Sequence, residues 1–314
     1  MFNYTKDSVL QISKEYDFIS NNVEKVLRLI DVLNIIQSSK YGKFLCLKGG
    51  TAINVFLLDL PRLSVDIDLD FSFICNREEM LSIRVEIERE IIKLLSNEMY
   101  QLKNDVRRSH SLDSFVFNYK TLSSSIDVLK IDINYSNRIH ILNAIECKKN
   151  VFGQDANVTM LSDLELIGSK MSALIIRTTQ RDLFDVYNLL SNYRLDYLKI
   201  KKIALFYIAM SEDKPIDIYK AIYRCIERIR KMNFRSFKMN LIPMLHKGYK
   251  CDFEEIKKYV ITYLEKAFIL CGQENDFFES FNKGKFNQQL LFEDWIVSDL
   301  SMHPMVIWKT GKDY

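Results

Sequence analysis

Three aspartates alternate with apolar residues in segment 65–71, whose sequence is VDIDLDF. On a β-strand, successive side chains point to opposite faces, so Asp66, Asp68 and Asp70 would share one face while the apolar residues face a core. Neighbouring like charges on one face repel each other. Because Mg²⁺ binds carboxylates together with substrate phosphates, the row predicts either a solvated strand face or a metal site for phosphate chemistry.

A second alternating segment, residues 127–135, supplies a further carboxylate, since Lys130, Asp132 and Asn134 would share one polar strand face. Asp132 could add a third ligand to the first aspartate row from the side. Three carboxylates so arranged could serve two metal ions ~3.5–4 Å apart. A solvated strand face has the same pattern, and Asp127 is an alternative or additional carboxylate.

A pair of glycines follows a short apolar run, in the sequence Lys48-Gly49-Gly50-Thr51. This pattern predicts a turn from a strand into a helix. Glycines let a ligand approach the backbone closely, and a helix N-terminus presents free N–H groups to phosphates. The bland alternative is an ordinary tight turn. The spacing of a Walker A loop is absent.

Three cations lie downstream on a predicted helix that begins near Asp163. The spacings between Lys170, Arg177 and Arg181 place them on nearly one line of that helix. They could bind triphosphate oxygens, with Asp182 and Asp185 orienting them. A solvated basic helix edge is the alternative.

The chain has 314 residues, of which 48% are hydrophobic, enough for one large or two modest cores. Strand-like runs at 99–106, 114–120 and 127–135 follow the first helices, whereas the pattern from Ser162 onward is helical. We therefore expect an α+β fold, with a mixed-sheet domain and N-terminal helices at 1–160 and a mostly α-helical domain at 161–314.

The composition also disfavours several classes of protein. The cysteines form no C-x-x-C pair, which argues against a zinc cluster, and reduced thiols are the expected state. The four histidines are scattered, which disfavours a histidine-based hydrolase. No stretch is long and apolar enough to span a membrane, so we expect a soluble cytoplasmic protein without membrane partners.

The net charge of +3 is too small to indicate nucleic-acid binding by itself, but the basic excess lies in the second half. Segment 220–250 contains a single acid, Glu227, among many cations and interleaved aromatic residues. Such a segment either contacts RNA or forms a charged helix face whose aromatics point into the core. The candidate RNA-binding residues are Arg224, Arg228, Arg230 and Lys231.

Taken together, these motifs resemble the DNA polymerase β-like nucleotidyltransferase superfamily, which has two small residues on a turn, a D-h-D strand and a third aspartate. More narrowly, segments 47–52 (LKGGTA) and 62–71 (RLSVDIDLDF), with the cations and Asp182 downstream, resemble the AbiEii/AbiGii toxin family. These are the toxins of type IV toxin–antitoxin and abortive-infection systems. The resemblance covers residues 44–190.

The resemblance implies a nucleotidyltransferase that moves a nucleoside monophosphate from an NTP to an acceptor, which in the tRNA-modifying relatives is the 3′ end of tRNA. Residues 161–314 would complete the nucleotide site and contact the acceptor, and a separately encoded antitoxin would neutralise the toxin. The implied cofactor is Mg²⁺, as two ions that Mn²⁺ could replace, on Asp66, Asp68 and Asp132. The implied catalytic residues are Asp66, Asp68, Asp132, Lys170 and Asp182. The implied nucleotide-binding residues are Lys48, Gly49, Gly50, Thr51, Ser64, Arg177 and Arg181.

Three other functions share these motifs. The acceptor could be a small molecule such as an aminoglycoside, it could be a protein hydroxyl, or the chain could be an inactive nucleotide-binding module. A basic surface beside the cleft would favour RNA, whereas an acidic cleft would favour a polycationic drug. The intact aspartate set argues against the inactive module, because binding alone does not need all three carboxylates.

Overall fold

The structure is a computed structural model that describes residues 2–193, 196–250 and 252–311. Its helices are α1 (Lys6–Glu15), α2 (Ser20–Gln37), α3 (Gly49–Thr51), α4 (Arg77–Asn97), α5 (Asp163–Arg177), α6 (Gln180–Asn192), α7 (Tyr197–Ser211), α8 (Ile218–Lys231), α9 (Phe234–Asn240), α10 (Phe253–Ala267), α11 (Gly272–Asn282) and α12 (Pro304–Thr310). Its strands are β1 (Leu45–Lys48), β2 (Asp66–Phe71), β3 (Gln101–Leu102), β4 (Arg107–Arg108), β5 (Leu112–Lys120), β6 (Ile126–Asn134), β7 (Ile145–Val151) and β8 (Gln154–Met160).

The strands form one mixed sheet in the order β3-β5-β6-β2-β1-β8-β7, with β4 paired to β5. The aspartate strand β2 lies near its centre, parallel to β6 and antiparallel to β1. This register sets Asp68 opposite both Asp132 on β6 and Lys48 on β1. The expected α+β class is confirmed.

The alternation in β2 decides which face carries chemistry. Ile67, Leu69 and Phe71 are fully buried in a core that also contains the apolar faces of α2 and α4. The aspartates consequently lie on the opposite face of the sheet, toward α5 and α7. Asn76 caps α4 by accepting a hydrogen bond from the Glu79 backbone N–H, as its position before the helix predicts.

A second hydrophobic cluster occupies the helical part, with contributions from α5 to α8 and from α10 and α11. Each cluster also contains residues from the other part of the chain. Leu166 and Ile167 on α5 belong to the first cluster, whereas Ile139 and Ile141, which follow β6, belong to the second. Helix α5 is therefore held between the sheet and the other helices.

The predicted single helix with Lys170, Arg177 and Arg181 on one line is wrong. Helix α5 ends at Arg177, Thr178 adopts a left-handed conformation with φ of +52°, and α6 begins at Gln180. The break is stabilised because the Thr179 side chain accepts a hydrogen bond from the Asp182 backbone N–H, as an N-cap does.

One predicted strand differs from the structure, and one hairpin has no counterpart among the predictions. The run at 99–106 forms only the short strand β3, while β4 follows at Arg107–Arg108. The hairpin of β7 and β8 was not predicted, and Gly153 lies in its turn with φ of +84°. Polar residues interrupt both hairpin strands, so their alternation is weak in the sequence.

Within the described ranges, none of the helices combines the length and apolar character that crossing a bilayer requires. The cysteines in those ranges are free thiols, and Cys251 lies outside the described residues.

Candidate active site

The aspartates of β2 and β6 meet where the two parallel strands run side by side. Asp68 is directly opposite Asp132, while Asp66 is opposite Lys130. The Lys130 Nζ lies 2.5 Å from Asp132 Oδ2. The other oxygen, Asp132 Oδ1, is buried and has no hydrogen-bond partner within the described part of the chain. One oxygen of this carboxylate is therefore left for a ligand.

The environment of Asp68 disfavours its charged form. Burial raises the pKa of the Asp68 carboxyl, and the nearby carboxylates of Asp132 and Asp66 add to the increase. The ammonium groups of Lys48 and Lys170 act in the opposite direction. A cation that binds beside a carboxylate surrounded by like charges stabilises the charged form of that carboxylate.

Asp127 belongs to a different face of β6. Its carboxylate lies 3.3 Å from Lys25 Nζ on α2 and accepts a hydrogen bond from the Tyr119 hydroxyl. It is thus separated from the aspartate row, and Asp132 is the residue of β6 that faces Asp68.

The glycine turn lies directly against the row. Gly49 has φ of +74°, and a Cβ at this position would lie 2.3 Å from Asp68 Oδ2. Both facts require glycine. A Cβ on Gly50 would lie 2.9 Å from Arg62 Nη2 and 3.0 Å from Ser64 Oγ, so this turn is closely packed as well.

The predicted turn from a strand into a helix is present at the glycines, and the helix is short. Helix α3 continues only as a π-helical turn at Ala52–Leu57. Thr51 is fully buried, and its hydroxyl donates to the Asp66 backbone oxygen and to Ser64 Oγ. These two hydroxyls therefore join the glycine turn to the start of β2 instead of facing open space.

Lys170 lies between two carboxylates of α6. Its Nζ is 3.2 Å from Asp182 Oδ1 and 3.0 Å from Asp185 Oδ2, and all three side chains are buried. Burial opposes ionisation of Asp182, but Lys170 and Arg177 outweigh it and hold the pKa of that carboxyl well below its usual value. Asp182 is consequently charged, and the Lys170 ammonium is held between two carboxylates.

The two arginines are more open. Arg177 donates to both oxygens of Asp182, at 2.7 and 2.8 Å, yet its side chain is 59% exposed. Arg181 Nη1 lies 3.7 Å from Asp66 Oδ2, and both side chains are partly exposed. Arg181 therefore connects α6 to the aspartate strand at the rim of the site.

These groups surround a cavity of about 370 Å³ between the sheet face and helices α5 and α7. The carboxylates of Asp68 and Asp132 lie on its sheet side together with the Lys48 ammonium, while Lys170 and Arg177 lie on its helix side. The predicted site residues that line it are Lys48, Gly49, Asp68, Asp132, Lys170 and Arg177. The remaining ones support these residues from behind or lie at the rim.

The residues present fit a hard divalent cation. All candidate ligands are carboxylate oxygens, Asp132 Oδ1 is an orphaned buried acceptor, and the absence of a Cβ on Gly49 lets its backbone approach the Asp68 carboxylate. Across residues 2–193, 196–250 and 252–311, no three His, Cys, Asp or Glu side chains are already gathered closely enough to hold a metal ion alone. A cation at this site would need further oxygens, such as those of substrate phosphates.

The candidate RNA-binding residues of α8 lie on its exposed face. Arg228 donates to the Ile176 backbone oxygen, which places it beside Arg177 at the end of α5. Arg224 pairs with Glu212, and Arg230 pairs with Glu227 and Glu265. Lys231 is exposed at the end of the helix.

The aromatic residues of the same segment divide between two environments. Tyr223 is 64% exposed and Phe234 is 49% exposed, whereas Phe237 is fully buried in the core. The segment thus combines a solvated basic surface with core packing.

Sequence reasoning assigned no role to two groups of the site. Arg62 forms a buried ion pair with Asp185, which also accepts a hydrogen bond from Asn54. Lys130 lies among the aspartates. Its position on the same face of the alternating strand as Asp132 was the sequence signal that could have identified it. Burial tends to lower the pKa of Lys130, but its hydrogen bond to Asp132 and the negative charges of Asp132, Asp66 and Asp68 together outweigh burial and raise the pKa.

A mixed sheet with aspartates on adjacent strands, a paired-glycine turn and cations on facing helices defines a nucleotidyltransferase. The family model described as nucleotidyl transferase AbiEii toxin, type IV toxin–antitoxin system, matches residues 31–259. The chain belongs to this family of nucleotidyltransferase toxins. A comparison with curated proteins finds no match.

Among solved structures, the fold is similar to MenT4, a nucleotidyltransferase toxin from Mycobacterium tuberculosis H37Rv. The TM-score is 0.61 at 12% sequence identity, and the match covers 87% of this chain and 93% of that one. At this identity the similarity concerns the fold. The CdnE cyclic dinucleotide synthase of Elizabethkingia meningoseptica, solved with GTP and Apcpp, matches with a TM-score of 0.25 at 9% identity, covering 83% of this chain and 99% of that one.

Proposed function

We propose that this nucleotidyltransferase toxin moves a nucleoside monophosphate from an NTP to the 3′ end of a tRNA in the cytoplasm, with Mg²⁺ as cofactor. The observation that carries the proposal is the pairing of Asp68 with Asp132 across parallel strands, with Lys170 and Arg177 on the other side of one cavity. Nucleotidyl transfer needs positioning and charge neutralisation more than covalent chemistry from the protein.

Asp66, Asp68 and Asp132 would hold two Mg²⁺ ions, which Mn²⁺ could replace. The chemistry that such ions supply is charge neutralisation at the attacking and leaving oxygens. Asp132, with one buried oxygen free of hydrogen bonds, would also orient the acceptor hydroxyl.

The nucleotide phosphates would lie between the glycine turn and the cations. Backbone N–H groups of Gly49 and Gly50 bind phosphate oxygens, while Lys48, Lys170, Arg177 and Arg181 offset their charge. Thr51 and Ser64 fix the turn through their mutual hydrogen bond. Asp182 holds Lys170 and Arg177 in place.

The basic surface of α8 supports RNA over a polycationic drug as the acceptor. Arg228 lies beside Arg177, so positive charge continues from the cavity onto the exposed face of the helix. Such a surface attracts a phosphate backbone and repels a cationic small molecule. The choice of tRNA among RNAs rests on the family resemblance. An antitoxin encoded separately is the implied partner.

Label transfer tests the proposal. The purified protein is incubated with each α-labelled NTP, Mg²⁺ and total tRNA, with Asp68→Asn as the matched control. Labelled tRNA from the wild type alone is the expected result. Label on a protein or a small molecule would show that tRNA is not the acceptor. NTP binding without any transfer would favour the inactive nucleotide-binding module.

A further inference from the structure

Asp70 differs from the two aspartates that precede it on β2. Its side chain is 1% exposed, whereas that of Asp66 is 44% exposed. The Asp70 Oδ1 lies 2.5 Å from Lys48 Nζ, and Oδ2 lies 3.6 Å from His140 Nε2. Both oxygens of Asp70 thus already face a protein group.

The His140 ring is itself supported. Its Nδ1 lies 3.3 Å from Ser72 Oγ, two residues beyond Asp70 on the same side of the chain. Burial alone would raise the pKa of Asp70, but Lys48 and His140 outweigh burial and lower it. The almost fully buried carboxylate is therefore held between two basic side chains.

Lys48 connects this buried carboxylate to the cavity. It ends β1, directly opposite Asp68, and its side chain is 23% exposed on the cavity wall. Of the charges that lower the pKa of Asp68, Lys48 is the strongest. A lysine side chain is long and flexible, so an ammonium at this place needs a fixed partner.

We propose that Asp70 is a positioning residue which fixes the Lys48 ammonium beside Asp68, where that ammonium binds a phosphate oxygen of the incoming NTP. The proposal rests on the proposed nucleotidyl transfer and deepens it. Asp66 and Asp68 hold the reacting groups, whereas Asp70 holds the Lys48 ammonium in the position where it binds the nucleotide phosphate. Preorganised charges of this kind need no rearrangement when substrate charge arrives.

A double-mutant cycle tests this coupling. Asp70→Asn, Lys48→Met and the combined variant are compared for binding of a fluorescent NTP without RNA, and for kcat and KM of label transfer. We expect Asp70→Asn alone to lower kcat/KM for NTP by about 10- to 100-fold, the scale that misplacement of a binding group costs. In the Lys48→Met background the same substitution should have little further effect. Equal losses in both backgrounds would overturn the proposal.

A second variant separates positioning from mere stability. Lys48→Met with Asp70→Leu replaces the buried ion pair by apolar side chains, a change that often leaves stability intact. We expect a wild-type melting temperature with NTP binding and transfer weakened as in Lys48→Met. Wild-type NTP affinity and kcat in this variant would show that the pair is only structural.

A matched control is the buried pair of Lys201 and Glu274, 2.6 Å apart in the helical part and outside the cavity. Lys201→Met with Glu274→Gln should leave NTP binding unchanged. NTP binding is measured without RNA. The experiment therefore still tests the role of Asp70 if tRNA proves not to be the acceptor. A wild type that labels no RNA but binds NTP would be such a case.

Discussion

Arg62 and Asp185 form a buried ion pair through two contacts of 2.7 Å, although 123 positions separate them in the chain. The pair joins the loop before β2 to helix α6. Lys170 and Asn54 contact the same Asp185 carboxylate, at 3.0 and 3.1 Å. One carboxylate on α6 thereby fixes the aspartate strand, the glycine turn and the cation helix relative to one another.

Arg62→Met should destabilise the protein, because it removes the bidentate partner of a carboxylate buried in the fold. Losing one partner of a buried ion pair costs about 3–5 kcal/mol. The free energy of unfolding in urea measures this, with exposed Arg89→Met on α4 as control. A loss no larger than that of the control would contradict the prediction.

Asp68→Asn should abolish NTP transfer and, with it, the growth arrest expected of a toxin, with no loss of stability. Burial raises the pKa of Asp68, so the charged carboxylate does not stabilise the fold. Label transfer, growth after induction and the melting temperature provide the three measurements. Transfer at the wild-type rate in this variant would show that Asp68 is not a catalytic residue.

Lys170→Met should impair both NTP use and folding, since it leaves Asp182 and Asp185 with one cationic partner fewer. We expect a cost of about 3–5 kcal/mol, the range for a broken buried ion pair. Arg181→Ala is the matched comparison, because Arg181 is 41% exposed and 3.7 Å from Asp66. Arg181→Ala should raise the KM for NTP while changing stability by less than about 1 kcal/mol. Equal stability losses in the two variants would argue against the buried cluster.

Charge reversal on α8 should weaken RNA binding. With Arg224→Glu and Arg228→Glu together, we expect lower affinity and a salt dependence whose slope falls by about 1 for each lost phosphate contact. Binding of labelled tRNA across a series of salt concentrations measures the slope, and Lys258→Glu on the exposed face of α10 is the control. An unchanged slope of the salt dependence in the double variant would show that RNA binds to a different surface.

Stability should fall on acidification because of His303, which is fully buried. Burial lowers its pKa from 6.5 to about 3, so the folded protein keeps it neutral. The unfolded chain takes up that proton below about pH 6.5. Since the unfolded state binds more protons, this residue contributes a loss of up to about 1.4 kcal/mol per pH unit from pH 6.5 down toward 3, and nothing above 6.5.

His303→Asn tests this pH dependence. Asparagine can still accept the hydrogen bond that the His303 ring takes from the Met305 backbone N–H at the start of α12, but it does not titrate. The free energy of unfolding between pH 7 and 5 should decrease less steeply in the variant than in the wild type. Parallel curves would show that other groups account for the acid sensitivity.

The strands that carry the carboxylates could be predicted because their alternation has period two. The bounds of β6 agree with the predicted strand within a residue, and Ile67, Leu69 and Phe71 are buried as expected. Periodicity reports which face a side chain takes. It contains no information about which partner strand lies beside it, so the opposition of Asp68 and Asp132 came from resemblance and from the fold.

The helix break at Thr178 could not be read from spacing. Lys170, Arg177 and Arg181 fit one helical line, and a left-handed threonine has no strong sequence signal. The break depends on tertiary contacts, because Asp182 must turn back toward Lys170 and Arg177. The buried state of Lys170 likewise depends on partners brought together only by folding.

The separation between Arg62 and Asp185 also sets an order of events on the ribosome. Helix α6 must leave the exit tunnel before Asp185 can reach Arg62, 123 positions earlier. At a synthesis rate of about 5–20 residues per second, Asp185 is itself added roughly 6–25 s after Arg62, and it leaves the tunnel later still. During that time the nascent chain already contains its aspartate row but not the cations that face it, so a toxin still under synthesis lacks a complete nucleotide site.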